Sequence, residues 1–137
     1  MSWDQYITNL KADSQVEEAA IWGCEKGAES KWAGGAGLDC ITADEIKKLV
    51  GDRSAFRQCG PHIGGKKCML LNDHMDTDGV HSLNLKTAAD SDGNRYSICV
   101  GKTAKALVIV KGTKDANGGH LSDLTFKTVD YLRKSGF

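Results

Sequence analysis

The chain has 137 residues, 40% of them apolar, a size that suits one compact domain burying roughly two thirds of the surface its unfolded form exposes. Lysine plus arginine and aspartate plus glutamate both number 18, so no bulk field draws the protein to nucleic acid or to a membrane. Asp4, Lys11, Asp13, Glu17 and Glu18 break up the apolar core that a signal peptide requires, and the longest aliphatic run, Ala106 to Val110, is far short of the roughly 20 residues that cross a bilayer.

Ser2-Trp3-Asp4-Gln5 reads as a capping box opening a first helix. Trp3, Tyr6, Ile7 and Leu10 then fall on one stripe at the i, i+3, i+4, i+7 spacing. Ala19 to Cys24 is short and apolar, a strand, and Lys31-Trp32-Ala33 is its hairpin partner. Thr42-Ala43-Asp44-Glu45 repeats the capping logic for a short helix in which Ile46, Leu49 and Val50 form the apolar face and Gly51 ends it. From Lys67 the period becomes two. Lys67 to Asn72, Val80 to Lys86, Arg95 to Gly101 and Lys105 to Lys111 read as an antiparallel meander, with turns such as Asp78-Gly79 and Asp92-Gly93 between them. After Asn117-Gly118-Gly119 the helical period returns, with Leu121, Leu124, Thr128 and Leu132 on one face and Phe126 and Tyr131 on its opposite shoulders. Helices at both ends enclosing four to six antiparallel strands predict a single α+β domain over 1–137, its termini close together. One proline, no repeat and no low-complexity tract leave no sign of a linker.

The chemistry-bearing residues fail the tests for catalysis and metal binding. With Gly79 at the sixth position of a calcium loop, His74 and Leu85 occupy positions one and twelve, where carboxylates are needed. The same count rejects Asp90-Ser91-Asp92-Gly93. Cys59, His62, Cys68 and His74 match none of the tight spacings of structural zinc sites. No G-x-S-x-G or G-K-[ST] occurs, and no helix follows the glycines at 34, 35 and 37 to aim amides at phosphate. Five cysteines (Cys24, Cys40, Cys59, Cys68, Cys99), an odd number without C-x-x-C pairing, suit free thiols in a reducing compartment and predict a cytoplasmic protein. No cofactor is expected.

The aromatic residues are more telling. Trp3, Tyr6, Tyr131 and Phe137 crowd into the two terminal segments. They could simply pin two helices to a sheet, but tryptophan and tyrosine carry polar tips and favour half-wet surfaces where proline rings stack.

In order along the chain, Met1-Ser2-Trp3 with Tyr6-Ile7-Thr8-Asn9-Leu10, Ala19-Ala20-Ile21-Trp22-Gly23, Lys31-Trp32-Ala33, Gly64-Gly65-Lys66-Lys67-Cys68, Lys102-Thr103-Ala104-Lys105 and Tyr131-Leu132-Arg133-Lys134-Ser135 closely resemble the profilin family from end to end. The resemblance implies a non-enzymatic, cytoskeleton-associated protein that binds actin monomers, regulates their polymerisation and captures proline-rich partners such as formins. It implies a central antiparallel sheet with the terminal helices on one face and smaller helices on the other. A proline-rich peptide would lie between the terminal helices on Trp3, Tyr6, Trp32, Tyr131, Leu132 and Phe137. Tyr131 stands where many animal members have histidine.

The actin surface maps by the same resemblance to Lys67, Asn72, Lys86, Arg95, Ser97, Asn117, Gly119, Ser122, Phe126 and Lys127. Asn72, Val80, Ala88 and Asp123 stand where well-known animal members carry arginine, glutamate and two lysines. Phosphatidylinositol bisphosphate is a further ligand of the family, and here only weak binding is expected, from Lys66, Lys67, Lys86 and Arg95 or from Arg133 and Lys134. The last two also complement the negative end of a helix dipole. Two rivals are a cysteine-dependent or metal enzyme, which lacks its constellation, and an α/β/α scaffold or sensor domain that binds proline-rich ligands with little actin affinity. The second accounts for the architecture but not for the paired tryptophans and tyrosines.

Overall fold

A computed structural model of the chain describes residues 3–25, 27, 29–34, 38, 41–51, 56, 60–75, 77 and 80–137. Helix α1 (Trp3–Lys11) leads into the hairpin β1 (Val16–Gly23) and β2 (Ser30–Gly34), then α2 (Ala43–Val50). The meander follows as β3 (His62–Ile63), β4 (Lys66–His74), β5 (Ser82–Thr87), β6 (Ser97–Lys102) and β7 (Ala106–Gly112), and α3 (Gly118–Lys134) closes the chain. The strands form one antiparallel sheet in the order β2-β1-β7-β6-β5-β4-β3. Strand β7 returns to pair with β1, with Ala20 opposite Ile109. Strand β3 went unread in the sequence because two residues carry no period. Ser2, the expected first cap, and Asp76, Asp78, Gly79 and Cys59 of the rejected metal motifs lie outside the described residues.

The sheet is covered on both faces, which is why β1 and β7 read as continuous apolar runs. Successive side chains of a strand point to opposite faces, and accordingly Ala20, Trp22, Leu107 and Ile109 join Ile46 and Leu49 of α2 in one core. Ala19, Ile21, Val108 and Val110 meet Ile7 and Leu10 of α1 and Leu121, Val129 and Leu132 of α3 in the other. The terminal helices therefore share one face, and α2 lies on the opposite one, as the sequence led us to expect.

The capping box of α2 forms: Thr42 Oγ1 accepts from the Glu45 N–H at 3.3 Å and Glu45 Oε1 accepts from the Thr42 N–H at 3.1 Å. Glu45 also accepts from the N–H groups of Gly64 and Gly65 at 2.9 and 2.8 Å, tying α2 to the β3–β4 turn. In α3 the expected apolar stripe is corrected. Its buried residues are Leu121, Thr125, Val129 and Leu132, while Leu124 and Thr128 are only half-buried. Thr125 is tolerated in the core because its hydroxyl donates to the Leu121 carbonyl at 2.8 Å.

The turn after α1 clasps the start of α3. Gln15 Oε1 accepts from the Asn117 N–H at 2.7 Å, and His120 Nε2 lies 2.6 Å from Asp13 Oδ2. The Gln15 backbone N–H, and after it the His120 side chain, hold the Asp13 carboxyl below the ordinary carboxylate value. A depressed folded-state value adds stability that is present above the unfolded value and is lost as pH falls through the folded one. The urea midpoint is therefore expected to fall between about pH 6 and about pH 3, and Asp13→Asn to narrow that difference; an unchanged difference in the variant would refute the clasp's contribution.

Candidate functional site

Placing α1 on β1 and β2 and α3 on β5, β6 and β7 leaves a groove between the two helices. Its walls are aromatic. Trp3 sits 4.8 Å from Trp32, 5.0 Å from Phe137 and 5.7 Å from Tyr6, measured between ring centroids, and Tyr6 is 6.0 Å from Tyr131. Five of the six residues expected to bind a peptide thus form one connected shelf drawn from α1, β2, α3 and the C-terminus. The Lys105 N–H donates to the Phe137 carbonyl at 3.0 Å, which fixes the last ring beside Trp3.

The rings are held without being sealed in. Trp3, Tyr6, Trp32 and Phe137 are half-buried, and Tyr131 remains 52% exposed. Trp32 lies flat on the backbone of Gly23, where an added Cβ would stand 2.8 Å from its Nε1 and 2.9 Å from its Cε2. Only glycine allows that approach. Burial first, then the neighbouring Tyr131 charge and hydrogen bond, push the Tyr6 phenol above its ordinary value, so its hydroxyl stays available as a donor at neutral pH. Leu132 is the exception among the six. It is fully buried and supports the shelf from beneath, where no ligand reaches it. The third tryptophan, Trp22, belongs to the core on the other side of the sheet.

Past Tyr6 and Tyr131 the groove widens into a cavity of about 320 Å³ lined by Asn9, Leu10, Leu124, Lys127 and Thr128 together with the two tyrosines. Lys127, one of the residues expected on the actin surface, lines this cavity. At helical spacing Leu124, Lys127, Thr128 and Tyr131 form the stripe of α3 that faces α1.

A second surface lies on the other flank of α3. Gly119, Ser122 and Phe126 follow one another at the spacing of a helix face. Asn72, Ser97, Gly119 and Ser122 line a cavity of about 300 Å³ with Leu71 and Asn84. Asn84, unremarked in the sequence, stitches it together: its Nδ2 donates to Asn72 Oδ1 at 2.9 Å and its Oδ1 accepts from Ser122 Oγ at 2.8 Å. Asn117 caps α3, its Oδ1 accepting from the N–H groups of Gly119 and His120 at 2.8 and 3.3 Å. Lys67 and Arg95 line a neighbouring cleft of about 350 Å³ with Met69 and Thr87, and Lys86 stands in register between Met69 and Ser97. Met69 and Leu71, each 51% exposed, and Phe126, 44% exposed, put apolar surface beside these polar groups. Met69 and Leu71 were not singled out in the sequence, although they share the parity of Lys67 in β4.

The remaining basic residues are dispersed. Lys66 has the parity of Cys68 and so points away from Lys67. Arg133 donates from Nε and Nη2 to the Lys102 carbonyl at 3.1 and 2.8 Å, and Lys134 pairs with Asp130 at 2.9 Å. Cys24, Cys68 and Cys99 are free and buried, and burial pushes the Cys68 thiol up to about 11, leaving little reactive thiolate. Asp90 makes a turn, accepting from the N–H groups of Asp92 and Asn94 at 2.9 Å.

A family model described as Profilin matches residues 1–137. Human profilin-2 is 36% identical over 139 residues, covering 98% of each chain, and human profilin-1 is 36% identical over 138 residues with the same coverage. Among solved structures, mouse profilin IIa in complex with a double repeat from the FH1 domain of mDia1 is similar over the whole of both chains, with a TM-score of 0.94 and 35% identity. Acanthamoeba castellanii profilin IB is similar over 99% of this chain and 100% of its own, with a TM-score of 0.79 and 26% identity.

Proposed function

The chain belongs to the profilin family, and from that premise we propose that it binds proline-rich segments on the aromatic shelf and monomeric actin on the opposite flank of α3, in the cytoplasm. The observation that carries this reading is the shelf itself, in which Tyr6, Trp32 and Phe137 contact Trp3 in tilted or edge-on arrangement and the exposed Tyr131 joins through Tyr6. A polyproline II segment is already ordered before it binds, so flat aromatic faces capture it at little entropic cost. The mouse relative was solved with an FH1 repeat, which makes formin-type proline-rich segments the first partners to test. Tryptophan fluorescence on titration with decaproline reads this directly, because Trp3 and Trp32 line the shelf while Trp22 does not.

For actin the support is the set Asn72, Ser97, Gly119 and Ser122 around one cavity, flanked by Lys67, Lys86 and Arg95 and by the exposed Met69, Leu71 and Phe126. An equimolar excess of the protein over pyrene-labelled actin is expected to suppress spontaneous nucleation; nucleation that proceeds unchanged would overturn this half of the reading. Asn72 and Asp123 lack the positive charge of well-known animal members, so a weaker interaction than theirs is expected. Phosphoinositide binding is weak in this reading, since of the six basic residues expected to serve it Arg133 and Lys134 are engaged elsewhere and Lys66 points away from Lys67.

A further inference from the structure

Resting on the peptide-binding reading, we infer that Lys127 makes the groove selective for proline-rich segments that carry a carboxylate about two residues beyond the proline held on Tyr131. Lys127 lines the same groove as Tyr6 and Tyr131, above a floor of Leu10 and Leu124. It is exposed and makes no ion pair among the described residues. The other cations of the two terminal helices are occupied: Lys11 pairs with Glu18 at 3.2 Å, Lys134 with Asp130 at 2.9 Å, and Arg133 donates to the Lys102 carbonyl. Asp123, one turn before Lys127 on α3, does not pair with it. The groove thus presents one uncommitted positive charge at its wide end, beside Asn9 and Thr128.

The spacing follows from two helical rises. Lys127 and Tyr131 are one turn apart on α3, about 6 Å along its axis. A polyproline II ligand advances about 3.1 Å per residue, so two residues carry it from the tyrosine ring to the ammonium group. An acidic side chain there meets an unpaired cation, whereas a basic one meets a like charge, a cost that discriminates between partners as strongly as the attraction does.

The test compares two blocked peptides with unflanked decaproline as reference. Each is decaproline extended at both ends by an alanine and then a charged residue, glutamate in one peptide and lysine in the other, which places the charge correctly whichever way the chain runs. The glutamate peptide is expected to bind about threefold or more tighter than the lysine peptide at low salt. The preference is expected to reverse in Lys127→Glu and to fade at about 1 M salt, where the Debye length is about 3 Å. Circular dichroism shows that the variant is folded, and each charged peptide is read as a ratio to decaproline on the same protein. Equal affinity for the two charged peptides, or a preference unchanged in Lys127→Glu, overturns this inference while leaving the peptide site standing. Failure of decaproline itself to bind overturns both.

Discussion

Trp3→Ala is expected to weaken decaproline binding by about 2 kcal/mol or more while leaving inhibition of actin nucleation within a factor of about two. The size of the effect follows from position. Trp3 touches Trp32, Phe137 and Tyr6, so truncation removes the centre of the shelf and unseats three neighbouring rings. Large aromatic anchors at the centre of a binding surface carry most of its energy, and peripheral contacts carry little. The residue is at the start of α1 and only half-buried, so circular dichroism should report a folded chain. Retention of decaproline affinity within a factor of about two would show that the aromatic shelf is merely structural packing.

Gly101→Val is expected to destabilise the fold by about 3 kcal/mol and to weaken both ligands together. Helix α3 crosses the sheet so closely here that a Cβ on residue 101 would lie 2.5 Å from Val129 Cγ2 and 2.7 Å from Thr125 Cγ2. Valine suits a strand, so the cost comes from pushing the helix off its seat. That helix carries Tyr131 on one flank and Ser122 and Phe126 on the other, which is why a single displacement reaches both surfaces. Adding Val129→Ala removes one obstructing side chain and is expected to recover part of the loss, as residues in direct contact do not add independently. A urea midpoint unchanged in Gly101→Val would contradict this packing.

The sequence was most legible where one element met one period. The cap at Thr42, the alternation from Lys67 onward and the clustering of Trp3, Tyr6, Tyr131 and Phe137 at the two ends all read through to the structure, because each depends on local spacing or on termini that meet. What depended on distant pairing was not legible. The Asn72–Asn84–Ser122 chain joins β4, β5 and α3, and no local pattern announces it. Leu132 resembles a ligand residue in sequence, yet its place on the helix turns it into the core. The α3 stripe was misread because Leu124 and Thr128 are apolar enough to suggest burial, although they edge a groove, and the buried Thr125 hides its hydroxyl in a bond to Leu121. That Lys127 lines the groove while Phe126 beside it faces away was hidden for a similar reason, since one residue is a rotation of about 100°.

In the proposed function α3 separates two ligand surfaces which work at once. Fluorescence anisotropy of labelled decaproline, saturated with this protein and then titrated with polymerisation-blocked monomeric actin, tests it most directly. A further rise in anisotropy is expected as a ternary complex forms. A fall to the value of free peptide would place both ligands on one surface, and no change would show that actin does not bind; either result contradicts the claim.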